Sequence, residues 1–79
     1  MNVTEKNKLG LLIKKHRQTQ GLTLRDFAKL CGTSHAYIAM LENGENYKTG
    51  KAIDPNISTL VKIAKALNMS IHELIDEIL

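Results

Sequence analysis

Residues 23–44 read TLRDFAKLCGTSHAYIAMLENG, and this stretch decides the fold. Two helical signatures stand back to back in it, separated only by GTS. The first opens on Thr23 with Asp26 three residues later, a variant of the capping box. Its apolar set, Leu24, Phe27, Ala28 and Cys31, follows the i, i+3, i+4, i+7 spacing of one helix face. Gly32 closes it. The second signature has Ser34 as its N-cap and Gly44 as its stop. Wound at about 100° per residue, it places Ile38 and Leu41 together on one side. His35, Ala36, Ala39, Met40 and Asn43 share the other side, within roughly 140°. An ordinary solvent face carries Lys and Glu. This one carries no formal charge with histidine neutral.

Three more helical signatures flank the pair, and no stretch reads as a convincing strand. Upstream, a helix is expected from about Glu5 to Thr19, with Leu9, Leu12, Ile13 and His16 at helical spacing. It ends at Gly21. Downstream, ENYKTGKAIDP (45–55) shows neither the helical nor the strand period and is rich in turn formers, so it reads as a loop. After Pro55, Asn56 caps a fourth helix whose expected inner side is Ile57, Leu60, Val61, Ala64 and Leu67. Asn68-Met69 breaks the pattern. Ser70 and Glu73 then form a capping box for a fifth helix, with Ile71, Leu74, Ile75, Ile78 and Leu79 as its stripe. There is no internal repeat, low-complexity tract or interdomain linker. The expected architecture is all-α: one five-helix domain over residues 1–79.

Seventy-nine residues lie near the size at which one core only just suffices. Without a cysteine pair or a plausible metal quartet, stability must come from packed helix faces, with or without a second subunit. The lone Cys31 suits a reducing compartment. No run approaches the roughly 20 apolar residues of a membrane span, and MNVTEKNK has no apolar signal core. These features point to a soluble, cytoplasmic chain. Net charge is +3, unevenly spread. Residues 1–51 hold nine Lys/Arg against four acids, and residues 52–79 hold two against four. The front half is therefore the one suited to a polyanion.

Helices joined by a three- or four-residue turn containing Gly make a helix-turn-helix, whose second helix can enter the DNA major groove. A helix offered to base edges needs short or flat side chains and apolar groups to meet thymine methyls. Ala36, Ala39 and Met40 suit methyl contact, while His35 and Asn43 can hydrogen-bond, the first to a base and the second to a phosphate. No row of carboxylates stands there to repel phosphates.

At these residues the chain resembles the Cro/repressor (XRE-type) helix-turn-helix family of phage and bacterial regulators. IKKHRQTQGLT, FAKLCGTSHAYIAMLENG and STLVKIAKALNMSIHELI carry the resemblance, which covers residues 9–75. It implies a lambda-repressor-like DNA-binding domain acting on double-stranded DNA, with the helix-turn-helix formed by helices 2 and 3. Ala28 matches the small residue where those helices cross, and Ile38 the buried residue of the recognition helix. His35, Ala36 and Met40 stand at base-reading positions, with Tyr37 and Ala39 on their margins. Ser34 and Asn43 stand at phosphate positions. Arg17 and Glu42 match a salt bridge tying helix 1 to the recognition helix. Two departures stand out. Leu24 occupies a position where the family often has a phosphate-reaching Gln, leaving Thr23 and Arg25 to compensate. The connection from Gly44 to Pro55 is also several residues longer than usual, and Lys48 and Lys51 on it either reach the DNA backbone or are simply solvated.

Several features have plainer readings. His35 is either a base reader or an ordinary exposed histidine. Cys31 and His35 have no third or fourth partner for zinc, so Cys31 is core, and neither a metal nor a cofactor is expected. His16 and His72 serve packing or solubility. Lys6, Lys8, Lys14, Lys15, Arg17 and Arg25 form at most a partial phosphate patch, with Arg17 committed to Glu42. Tyr37 either offers its hydroxyl to a phosphate or roofs the core. Ile78 and Leu79 are candidates for a symmetric partner, which would place two recognition helices roughly 34 Å apart on a near-palindromic site. The leading expectation is a sequence-specific transcriptional regulator, a repressor of phage or mobile-element type. The alternative is an antitoxin or protein-partner-binding module on the same fold. No nucleophile, base and orienting group can be assembled, so an enzyme is not expected.

Overall fold

The computed structural model describes residues 7–45, 48–51, 53 and 55–79. Among the described residues, five helices run in chain order: α1 Lys8–Gln20, α2 Leu24–Cys31, α3 His35–Asn43, α4 Ile57–Ala66 and α5 Ile71–Ile78. The described residues form an all-α fold, and no described helix is long and apolar enough to cross a membrane.

Local chemistry sets the helix ends. Thr23 and Asp26 form a complete capping box at the start of α2, and Ser70 and Glu73 form another at the start of α5. Ser34 and Asn56 cap α3 and α4 by accepting N–H bonds three residues on. The expected start of α1 moves. Asn7 is its N-cap, accepting the Gly10 N–H at 3.2 Å, so the helix begins at Lys8 rather than near Glu5. Glu5 and Lys6 lie outside the described residues, as do positions 46, 47, 52 and 54 of the expected loop. The break at Asn68 is a left-handed turn, φ +60°, a conformation that asparagine tolerates better than most residues.

Each helix sends one large side chain to complete burial: Ile13, Phe27, Ile38, Ile63 and Leu74. Burying a side chain of this kind contributes about 1.5–3 kcal/mol. Packing runs as a closed ring around these five, with α1 against α3, α3 against α2, α2 against α4, α4 against α5, and α5 back against α1. His16 meets the Phe27 ring edge-on, centroids 6.2 Å apart.

Two expected faces need correction. On α4, Ile57 is 64% exposed, whereas Ile63 and Ala66 belong to the core. The helix meets both α2 and α5, so its buried surface is wider than a single stripe and rotated away from its first residue. On α5, Ile78 is half-buried against the molecule's own core, leaving Leu79 as the exposed apolar side chain at that end.

Candidate nucleic-acid interface

The turn between α2 and α3 is held at both ends. Gly32 takes the left-handed conformation, φ +69°, that lets the chain double back. Its N–H bonds Lys29 O at 3.2 Å, and the Thr33 N–H bonds Ala28 O at 3.0 Å. Ser34 Oγ then accepts the Tyr37 N–H at 3.1 Å and starts α3. Two helices and three intervening residues thus form one rigid corner.

On α3, Ile38 and Leu41 face inward and are buried. His35, Ala36 and Asn43 are exposed, and Ala39 and Met40 are half-exposed, so the methyl-rich side faces outward. Tyr37 does not stand with them. Its ring is half-buried and packs on the core, and its hydroxyl shares a hydrogen bond with Thr59 of α4. Burial lifts the phenol's pKa, partly offset by that bond.

The one acid on α3, Glu42, is turned away from the outward face and neutralised. Its Oε2 accepts from Arg17 Nε at 2.8 Å and its Oε1 from Nη2 at 3.0 Å. Arg17 Nη1 also donates to Leu22 O at 3.1 Å. The hydrogen bond to Glu42 holds the guanidinium still more firmly protonated than usual. Arg17 is consequently a strut between α1 and α3.

Two further groups at the start of α1 seat α3, and sequence reasoning missed both. Asn7 Nδ2 donates to Glu42 O at 2.9 Å. Gly10 is buried where a Cβ would collide with Leu41 O and the Asn7 side chain. A glycine inside an otherwise apolar helix pattern was the available signal for this close approach. Nothing in the sequence announced the long-range partner of Asn7.

A shallow groove between the N-termini of α2 and α3 brings together Thr23, Arg25, Lys29, Thr33, Ser34 and His35. Thr23 Oγ1 and Ser34 Oγ each already accept a capping N–H, and the Ser34 hydroxyl keeps its hydrogen to donate outward. Asp26 also lines the groove, and bonds from the Thr23 backbone N–H and hydroxyl hold its carboxyl below the usual range. Lys48 and Lys51 lie apart from that groove, exposed on the excursion beyond α3. The Ile53 N–H bonds Gly44 O at 3.3 Å and closes the base of this excursion. Cys31 is buried, and desolvation pushes its thiol up to about 11, which suits core rather than chemistry. The described residues contain no cluster of three or more His, Cys, Asp or Glu able to hold a metal.

A buried-inward, uncharged-outward second helix set across a three-residue glycine turn defines a helix-turn-helix protein. The chain belongs to the helix-turn-helix family of XRE type, whose family model matches residues 13–74. It is 32% identical over 69 residues to the HTH-type transcriptional regulator SinR of Bacillus subtilis, covering 87% of this chain and 57% of that protein. It is 34% identical over 68 residues to the HTH-type transcriptional regulator PuuR of Escherichia coli, covering 86% of this chain and 33% of that protein. The chain thus spans between a third and three-fifths of these relatives. Among solved structures, SinR in complex with DNA superposes with a TM-score of 0.63 at 31% identity, covering 85% of this chain and 97% of that one.

Proposed function

We propose that this chain is a sequence-specific DNA-binding transcriptional regulator that reads the major groove with residues 34–43. The outward face of α3 carries the reading: it is free of charge, small or methyl-bearing at Ala36, Ala39 and Met40, and open to solvent. Likeness to SinR, a structure of which is a complex with DNA, supports it. In this reading His35 hydrogen-bonds a base edge, and the alanines and methionine meet thymine methyls. Tyr37 stays at the margin, since its hydroxyl is engaged with Thr59. Thr23, Arg25, Ser34 and Asn43 hold phosphates, the Ser34 hydroxyl as a donor, and Lys48 and Lys51 extend backbone contact beyond α3.

The finer reading follows the family resemblance. It is a repressor of phage or mobile-element type, with residues 1–79 acting as one DNA-binding unit in the cytoplasm. Two copies bind a near-palindromic site as a homodimer, and the pairing rests on Leu79 more than on Ile78, which is already half-buried.

Selection of bound duplexes from a random pool, at stated salt, tests this directly. A consensus with two-fold symmetry is expected, with a log–log salt slope near −5 for about six phosphate contacts. Absence of any consensus, or affinity indifferent to salt, would overturn the reading and favour a protein-partner module instead.

A further inference from the structure

We propose that Asn7 is a positioning residue for the recognition helix: a carboxamide clamp that ties the last turn of α3 to the first turn of α1. The proposal rests on the reading of α3 as the DNA reader. One side chain does two things at once. Asn7 Oδ1 accepts the Gly10 N–H at 3.2 Å, and Nδ2 donates to the backbone carbonyl of Glu42 at 2.9 Å. The orientation of the amide follows from its surroundings, because one end faces an N–H and the other a C=O, and only one assignment satisfies both.

The carbonyl it takes needs a partner. α3 ends at Asn43, so Glu42 O is among the last four carbonyls that lack an intrahelical donor. The Gly44 N–H goes to Met40 O at 2.8 Å. Close approach is possible only because Gly10 has no side chain to strike Leu41 O. Glu42 is therefore gripped twice from α1: its carboxylate by Arg17 in the last turn, and its carbonyl by Asn7 at the N-cap. Grips from opposite ends of one helix fix the roll and tilt of the segment that carries Ala39, Met40 and Asn43. Contacts to base edges need that precision, since misplacement by about 1 Å is enough to spoil a polar constellation.

Two substitutions separate clamping from capping. Asn7→Asp keeps an oxygen for the Gly10 N–H but turns an acceptor toward Glu42 O. Asn7→Ser also caps well, yet its side chain is too short to span both bonds. Measurements are made with the duplex that the parent chain selects from a random pool and with a random-sequence duplex of equal length. Both variants are expected to stay folded at the assay temperature, although the melting temperature falls by about 4–8 °C, and to keep the parent salt slope. Their affinity for the selected duplex should fall about ten-fold, the equivalent of one hydrogen bond, while affinity for the random duplex changes less than about two-fold. Parallel loss on both duplexes would make Asn7 merely structural and overturn the proposal. So would an unchanged preference for the selected duplex. A parent chain that shows no preference at all would overturn the DNA-reading role of α3 itself, and that result appears before any variant is compared.

Discussion

Glu42 joins the recognition-helix candidate α3 to α1 through both its side chain and its backbone. Its carboxylate receives two guanidinium bonds, its carbonyl receives the Asn7 amide, and its neighbour Leu41 is buried. The pair with Arg17 retains only 17% and 10% side-chain exposure, so removing one partner strands the other in a poorly solvated place. Glu42→Ala should lower stability by about 2–3 kcal/mol, seen as a lower urea midpoint at unchanged slope. A loss under half a kcal/mol, roughly the level of a surface pair, would show that the strut is dispensable. The salt-bridge partners were legible from the family resemblance. Tyr37 and Asn7 were not, because the partners that define them, Thr59 and Glu42, are remote in the chain and only folding brings them close.

Among the elements, α3 has the sharpest division of labour. Met40→Glu should abolish operator binding in a gel-shift or fluorescence titration while leaving the helical signal and melting temperature nearly unchanged. Met40 is half-exposed, and the new carboxylate would face phosphates rather than core. Unfolding of the variant would show instead that this face is needed inside. The capping boxes of α2 and α5 make a second prediction. Asp26 and Glu73 are held below their ordinary carboxyl range, chiefly by the backbone N–H of Thr23 and Ser70. A folded-state pKa below the unfolded one means that the contribution is complete above about pH 5 and is lost as pH falls through the folded value. Asp26→Asn combined with Glu73→Gln should therefore flatten the decline of melting temperature on acidification. A decline as steep as in the parent chain would assign it to other carboxylates. Caps were readable in advance because their chemistry is local, spanning three residues. The exposed Ile57 was misread for the opposite reason: which arc of α4 is covered depends on where α2 and α5 lie.

At the scale of the whole molecule, the packing ring puts the α2–α3 corner on the surface and the excursion that carries Lys48 and Lys51 beyond the end of α3. Lys48→Ala together with Lys51→Ala should weaken binding to selected and random duplexes alike and make the salt slope shallower by about 1–2. Unaltered affinity and slope in salt titrations would remove the excursion from the interface. The positive balance of residues 1–51 includes Arg25 and Lys29 of α2 and Lys48 and Lys51 of the excursion.

The helix count among the described residues, the N-caps of α2 to α5, the glycine turn and the inward Ile38 and Leu41 were determined by the sequence alone. Each depends on spacing within a few residues, where backbone geometry leaves little choice. The buried arc of α4, the engagement of Tyr37 and the double grip on Glu42 were decided only by tertiary structure. They depend on which helices meet, and a hydrogen bond between residues 7 and 42 exists only once the intervening chain has folded into the ring that brings them together.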